Sequence, residues 1–256
     1  MSRVVAVIPA RMAASRFPGK PLVDIEGLPM IMHCYLRTKL AECIDEVVIA
    51  TCDRAIFEVA DRFGAPVVMT SSQHLNAVDR TAEAVQILQD EDSQPIESVL
   101  LVQGDEPLLD PRALDSMVLT IQDDLSIDFL NIMVPFADHD SFMDYNCPKV
   151  VINEYGNAMY ISREPIPSAW HDWDAGLSHM QTGLFAFRPE ALAWFAATSR
   201  TDLEKSESID MLRVLFHGRT LRMLRVDEPT LGVDTPEDLA RAIELMQSDL
   251  LFPTYR

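Results

Sequence analysis

Three stretches of this chain carry charged residues in the combinations that phosphate and metal chemistry needs. The first follows an apolar run, residues 4–8, and reads Pro9-Ala10-Arg11-Met12-Ala13-Ala14-Ser15-Arg16-Phe17-Pro18-Gly19-Lys20-Pro21-Leu22. It holds three cations, Arg11, Arg16 and Lys20, without an acid among them. Its small residues let backbone N–H groups approach an anion, and a loop at the carboxyl end of a central strand is where open α/β sheets bind ligands. Such a loop suits a triphosphate. Its spacing is neither that of a Walker P-loop nor that of a Gly-x-Gly-x-x-Gly dinucleotide loop, and a solvated basic loop is the other reading. In the second stretch, Val99-Leu100-Leu101-Val102 runs into Gln103-Gly104-Asp105-Glu106-Pro107. A carboxylate closing an apolar strand, with Gly beside it, makes Asp105 a candidate ligand for Mg²⁺, against an ordinary turn Asp. The third is Gly232-Val233-Asp234-Thr235-Pro236-Glu237-Asp238, where Asp234 precedes a helix start and its neighbours also suit the helix dipole. Brought together, Asp105 and Asp234 would hold Mg²⁺ against substrate phosphates, since magnesium takes one or two carboxylates plus substrate oxygens.

Further candidates lie in the second half: Lys149, Tyr160, Ser162, Arg163, His179, Gln181, Glu204, Glu207 and Asp210. Surface or strand-face roles account for most of them. Arg163 ranks first, because a guanidinium is the natural bidentate partner of an acceptor acid.

The elements that must position these residues follow from periodicity. Residues 4–8, 46–51, 67–70, 98–102 and 128–134 read as strands separated by helical segments, the pattern of a parallel sheet covered on both faces. Residues 149–152, 158–162 and 182–187 read as antiparallel strands of an insertion at about 137–190 in a single domain spanning 1–256. A helix at 207–216, a strand at 220–226 and a helix at 236–247, capped by Thr235 with Pro236 in its first turn, complete the chain. With 48% hydrophobic residues the chain can bury a large core. A net charge of −19 excludes a broad nucleic-acid or anionic-membrane surface, so an anionic ligand must be met by a local cationic spot or by metal. Four scattered cysteines, no signal-type start and no membrane-length apolar run point to the cytoplasm.

The run from Ile8-Pro9-Ala10-Arg11 through Pro21-Leu22 closely resembles the opening of the 3-deoxy-manno-octulosonate (KDO) cytidylyltransferases, also called CMP-KDO synthetases. Gln103 to Pro107 and Gly232 to Asp238 resemble two further motifs of that family, in the same order. So do Lys149-Val150-Val151, Tyr160 to Arg163 with Ile166-Pro167, and the stretch from Leu203-Glu204 to Leu212-Arg213. The resemblance implies an α/β fold with a mostly parallel central sheet, of the glycosyltransferase A-like nucleotidyltransferase type, and a small antiparallel insertion used for homodimerisation. It implies Mg²⁺-dependent transfer of CMP from CTP to a sugar acid, most simply KDO for lipopolysaccharide, with release of pyrophosphate. Carried over by position, Pro9, Ala10, Arg11, Arg16, Lys20, His74, Arg80 and Gln103 would bind nucleotide, with Lys20, Arg11 and Asp105 catalytic. Gln103, Lys149, Tyr160, Arg163, Gln181 and Glu207 would bind the acceptor, and Asp105 and Asp234 the metal.

This sequence departs from the family where His-x-Ser-Gly-Thr-Glu/Asp-Arg is usual. It reads His74-Leu75-Asn76-Ala77-Val78-Asp79-Arg80, so a changed loop path and changed hydrogen bonding are expected there. Gln181 stands where the family's later His is expected, and Cys52 where Asp is common. These departures leave another octulosonic or nonulosonic acid, or a small phosphonate, as alternative acceptors. A silent nucleotide-binding homologue is the alternative from another class.

Overall fold

The computed structural model describes residues 2–13, 17–168, 170, 172–227 and 231–256; Arg16, one of the three expected loop cations, lies outside the described residues. The chain forms two compact units, residues 1–119 with 230–256, and residues 120–229. The stretch 137–190 falls within the second.

The first unit opens with β1 (Arg3–Ala10), a small hairpin of β2 (Asp24–Ile25) and β3 (Leu28–Pro29), and α1 (Met30–Thr38). It continues with β4 (Glu46–Thr51), α2 (Arg54–Arg62), β5 (Val67–Met69), α3 (Ala77–Glu91) and β6 (Ile96–Leu101), and ends within α4 (Pro111–Asp123). The second unit holds β7 (Phe129–Pro135), α5 (His139–Met143), β8 (Lys149–Ile152), β9 (Ala158–Ser162) and β10 (His179–Phe187). These are followed by α6 (Pro189–Ala197), α7 (Asp202–Glu207), α8 (Leu212–Phe216) and β11 (Arg222–Arg225). Two last helices, α9 (Pro236–Gln247) and α10 (Phe252–Tyr255), belong to the first unit. Among the described residues no helix is long and apolar enough to cross a membrane.

In the first unit the strand order is β6-β1-β4-β5, all parallel, with Val7 opposite both Val48 and Leu101. Every residue of β1 is buried, which its unbroken apolar sequence anticipates: a parallel strand with α1 and α3 packed on it has no solvent face. The C-terminal helices close a cluster of Ile25, Met30, Val233, Ala242, Met246 and Phe252. This packing anchors the segment that carries Asp234. In the second unit β11 pairs parallel to β7, while β7–β10, β10–β8 and β8–β9 are antiparallel. The fold is thus mixed α/β with a mostly parallel sheet and a small antiparallel part.

Two expectations are corrected. The strand expected at 182–187 begins at His179, because His179 pairs with Pro135 on β7 and with Val150 on β8. The helix expected at 207–216 is two helices. Thr201 and Glu204 form a reciprocal capping box that starts α7 early, and Ser208 at φ 54° ends it in the left-handed region.

Glu204 itself is fully buried. It accepts from Arg213 Nε at 2.9 Å and Nη2 at 2.7 Å, and from Arg200 Nε at 2.9 Å. Burial alone would raise its carboxyl pKa, but the hydrogen bonds from Arg213 and Arg200 outweigh it and hold the group below its ordinary range. A depressed carboxylate contributes stability that is fully present above its unfolded pKa, about 4.3, and lost as pH falls through the folded value. Glu204→Ala is expected to cost about 3–5 kcal/mol at pH 7, since Arg213 keeps its buried charge without its partner. Urea unfolding at pH 7 and pH 4 checks this: the wild type should lose more stability on acidification than the variant.

Candidate active site

Because β1 and β6 are adjacent and parallel, the chain leaves both at the same edge of the sheet, and Val102 N–H still donates to Val7 O at 3.0 Å. The two following segments therefore run side by side. Gly104 makes this possible: a Cβ there would sit 2.9 Å from Ile31 Cδ1 and 3.2 Å from the carbonyl of Pro9. Beyond β1, the loop is pinned where Met12 N–H donates to Asp53 at 2.8 Å. It closes through Gly19, whose φ of 78° suits glycine, into a 3-10 turn at Lys20–Leu22. That turn aims Lys20 inward.

Asp234 arrives from α9. Thr235 caps that helix reciprocally with Asp238, whose carboxylate also accepts from Asp234 N–H at 3.0 Å. Val233 N–H donates to Asp105 O at 2.9 Å, locking the two backbones together. Asp238, an acid of the first turn of α9, is thus the group that orients Asp234.

The outcome is a single meeting point. Lys20 Nζ donates to Asp105 Oδ2 at 2.7 Å and to Asp234 Oδ1 at 2.9 Å, with the lysine side chain only 12% exposed. Burial pulls the ammonium pKa down, but the charges and hydrogen bonds of Asp105 and Asp234 overcome it and leave the net shift upward. Lys20 is accordingly cationic throughout the neutral range.

A cleft of about 280 Å³ surrounds this point. Pro9, Ala10, Arg11 and Lys20 from the first stretch, Gln103 and Asp105 from the second, and Asp234 from the third all line it, with His74 and Arg80. Every described residue expected to bind nucleotide or metal is therefore in one place. Arg80 is buried and donates to Thr70 Oγ1 and Ser71 O, while His74 Nε2 bonds Glu83, which also accepts from Ser71 N–H at 2.8 Å. Both residues thereby hold the 70–76 segment against α3. Burial would raise the Glu83 carboxyl pKa, but Ser71 N–H and His74 bring it below its ordinary value.

Asn76, Ala77, Phe17 and Pro21, which lie in the motif stretches but were not named as binding residues, also line the cleft. Asn76 Oδ1 caps α3 by accepting from Asp79 N–H at 2.8 Å. The signal was present, since Asn followed three residues later by Asp ahead of an apolar-periodic run marks a helix start.

The acceptor candidates other than Gln103 belong to the second unit. Lys149 is fully buried there, with Nζ donating to the carbonyls of Asp144 at 2.6 Å and Arg163 at 2.8 Å, and burial lowers its pKa. The Arg163 guanidinium is committed to the carbonyls of Glu207, Tyr145 and Ser208. Glu207 accepts from Tyr160 Oη at 3.1 Å, Ser162 Oγ at 2.8 Å and Arg163 N–H at 3.0 Å. These groups knit β9 to the end of α7. By contrast, Gln181 Nε2 and His179 Nδ1 on β10 are buried without a partner among the described residues, and burial lowers the His179 pKa.

Cations and carboxylates gathered where parallel strands end define a nucleotide-handling α/β transferase. The cytidylyltransferase family model matches residues 5–222. The 3-deoxy-manno-octulosonate cytidylyltransferase of Syntrophotalea carbinolica is 41% identical over 93% of this chain and 96% of its own length, and that of Pelobacter propionicus is 38% identical over 94% and 96%. A solved CMP:2-keto-3-deoxy-manno-octonic acid synthetase complexed with CTP superposes with a TM-score of 0.88 at 31% identity, covering 97% of this chain and all of that one. The chain belongs to the 3-deoxy-manno-octulosonate cytidylyltransferase family.

The meeting of Lys20, Asp105 and Asp234 should be energetically visible. A double-mutant cycle with Lys20→Met and Asp105→Asn is expected to give a coupling of about 1.5–3 kcal/mol, the range for a partly buried charged hydrogen bond. The exposed pair Lys205–Asp202 should couple by less than about 1 kcal/mol. Equal couplings in chemical denaturation would contradict the picture.

Proposed function

We propose that this enzyme transfers the cytidylyl group of CTP to 3-deoxy-manno-octulosonate, giving CMP-KDO and pyrophosphate. The observation that carries the reading is the convergence of Lys20, Asp105 and Asp234 inside a cleft whose wall includes Arg11, in a chain of this family. Lys20 and Arg11 bind the triphosphate and neutralise charge on the departing pyrophosphate, while the acceptor hydroxyl attacks the α-phosphorus and the bond to the β-phosphate bridge breaks.

The donor set fits Mg²⁺. Two carboxylates, Asp105 and Asp234, converge on one ammonium-sized point. That is the sparse protein shell of an ion that shares its coordination with phosphates. Asp105 and Asp234 would hold it, and when bound it supplies charge stabilisation to the phosphoryl oxygens. Lys20 then exchanges part of its carboxylate contact for the triphosphate.

Gln181 supports a second reading, transfer to a related acid. Its unpartnered buried amide offers a neutral hydrogen-bonding group and no imidazolium, whatever the pH. Pyrophosphate release with CTP and Mg²⁺ against KDO, other ulosonic acids and a set of phosphonates separates the readings. Turnover with KDO well above the rest is expected. Asp105→Asn should lower kcat/KM by about 10²–10³-fold with folding intact. Full activity in that variant would remove Asp105 from the chemistry, and silence with every acid would overturn the proposed reaction.

A further inference from the structure

Asp53 holds the N-cap position of α2 with an extended backbone at φ −105°, the residue type and conformation that normally cap a helix. Its carboxylate nevertheless accepts nothing from that helix. By contrast α3, α5, α7 and α9 are each capped by the side chain at the same position, Asn76, Asp138, Thr201 and Thr235. Asp53 turns instead to the segment after β1, and its Oδ2 accepts from Met12 N–H at 2.8 Å; Cys52 Sγ donates to the same oxygen at 3.6 Å. The helix forgoes a side-chain cap so that the carboxylate can serve a loop 41 residues away in sequence.

That contact holds the frame of two cleft cations. Ala10 pairs with Thr51 at the end of β4, and Asp53 N–H donates to Thr51 Oγ1 at 3.1 Å. One short piece of chain therefore grips the residues on either side of Arg11. The Met12 carbonyl in turn accepts from Gly19 N–H at 3.2 Å, and the turn that starts there carries Lys20. The Met12 residue thus sets both where Arg11 leaves the sheet and where the loop returns with Lys20, and both cations line the cleft. We propose that Asp53 is a positioning residue for nucleotidyl transfer: withheld from its own helix, its carboxylate fixes Met12 and so aims Arg11 and Lys20 at the triphosphate. The inference rests on the reading that the cleft takes CTP. A hydrogen bond to an ionised acceptor is stronger than a neutral one, which suits a contact that must set the loop before the ligand arrives.

Asp53→Ser separates the two uses of the position, because serine is a favoured N-cap but its side chain is too short to reach Met12. Asp53→Asn keeps an acceptor oxygen at the original reach. Calorimetric titration with CTP and with inorganic tripolyphosphate measures binding without any acceptor acid, and thermal unfolding verifies the fold. Asp53→Ser should melt at or above the wild-type temperature yet bind both ligands about tenfold more weakly, the loss of one charge-assisted contact. Asp53→Asn should bind both within about threefold of wild type. Hydrogen exchange should show the Met12 amide losing protection in Asp53→Ser alone. Binding by Asp53→Ser within about twofold of wild type would overturn the positioning role. So would a loss in Asp53→Asn equal to that in Asp53→Ser, since the acceptor oxygen would then not matter. A wild type that binds neither ligand would overturn the nucleotide reading and the proposal with it, a failure visible before any variant is made.

Discussion

Three segments far apart in sequence meet at the Lys20 ammonium, and the first unit is arranged to permit that meeting. Two carboxylates cannot be held this close without a counter-charge, and a lysine side chain only 12% exposed keeps its proton because those carboxylates are there. Under the proposed function, a triphosphate and a divalent ion would re-pair charges already in position, and little of the protein would have to reorganise.

Holding that point requires backbone precision from elements with no chemistry of their own. The buried strand β1 sets the edge from which Arg11 and the loop depart. Gly104 lets the neighbouring segment approach the Pro9 carbonyl, from which a Cβ would lie a tight 3.2 Å away. On the other side, the capping box of α9 fixes Asp234, and Val233 ties it to Asp105 through a backbone bond. The polar cluster is therefore a reading of three chain termini of regular structure: the ends of β1 and β6 and the start of α9.

Much of this was legible in the sequence because it lies in local signals. The apolar run of β1, the Thr235-Pro236 helix start, and strands 46–51, 149–152 and 158–162 emerged at their observed bounds or within a few residues. The motif residues could be assigned roles because their order resembles that of a known family; strand ends alone left a solvated loop and a turn Asp as competing readings. What stayed hidden depends on tertiary pairing. His179 reads as loop until its partners on β7 and β8 are known, and the break at Ser208 cannot be inferred from the apolar spacing of residues 209–216 alone. Glu83 gave no warning of its role, because nothing local shows that Ser71 and His74 fold back upon it.

In the second unit, charged residues at motif positions are engaged by the protein's own backbone and side chains. Lys149, Arg163 and Glu207 resemble family positions and carry charge, yet their polar atoms are occupied by one another's surroundings: two carbonyls for Lys149, three for Arg163, three donors for Glu207. Charges engaged in this way tie β9 to the end of α7. Sequence cannot distinguish a spent charge from a free one, since both satisfy the same pattern. Buried side-chain atoms without a hydrogen-bond partner among the described residues occur on charged and neutral residues alike, among them Arg3 Nε, Asn76 Nδ2 and Gln181 Nε2.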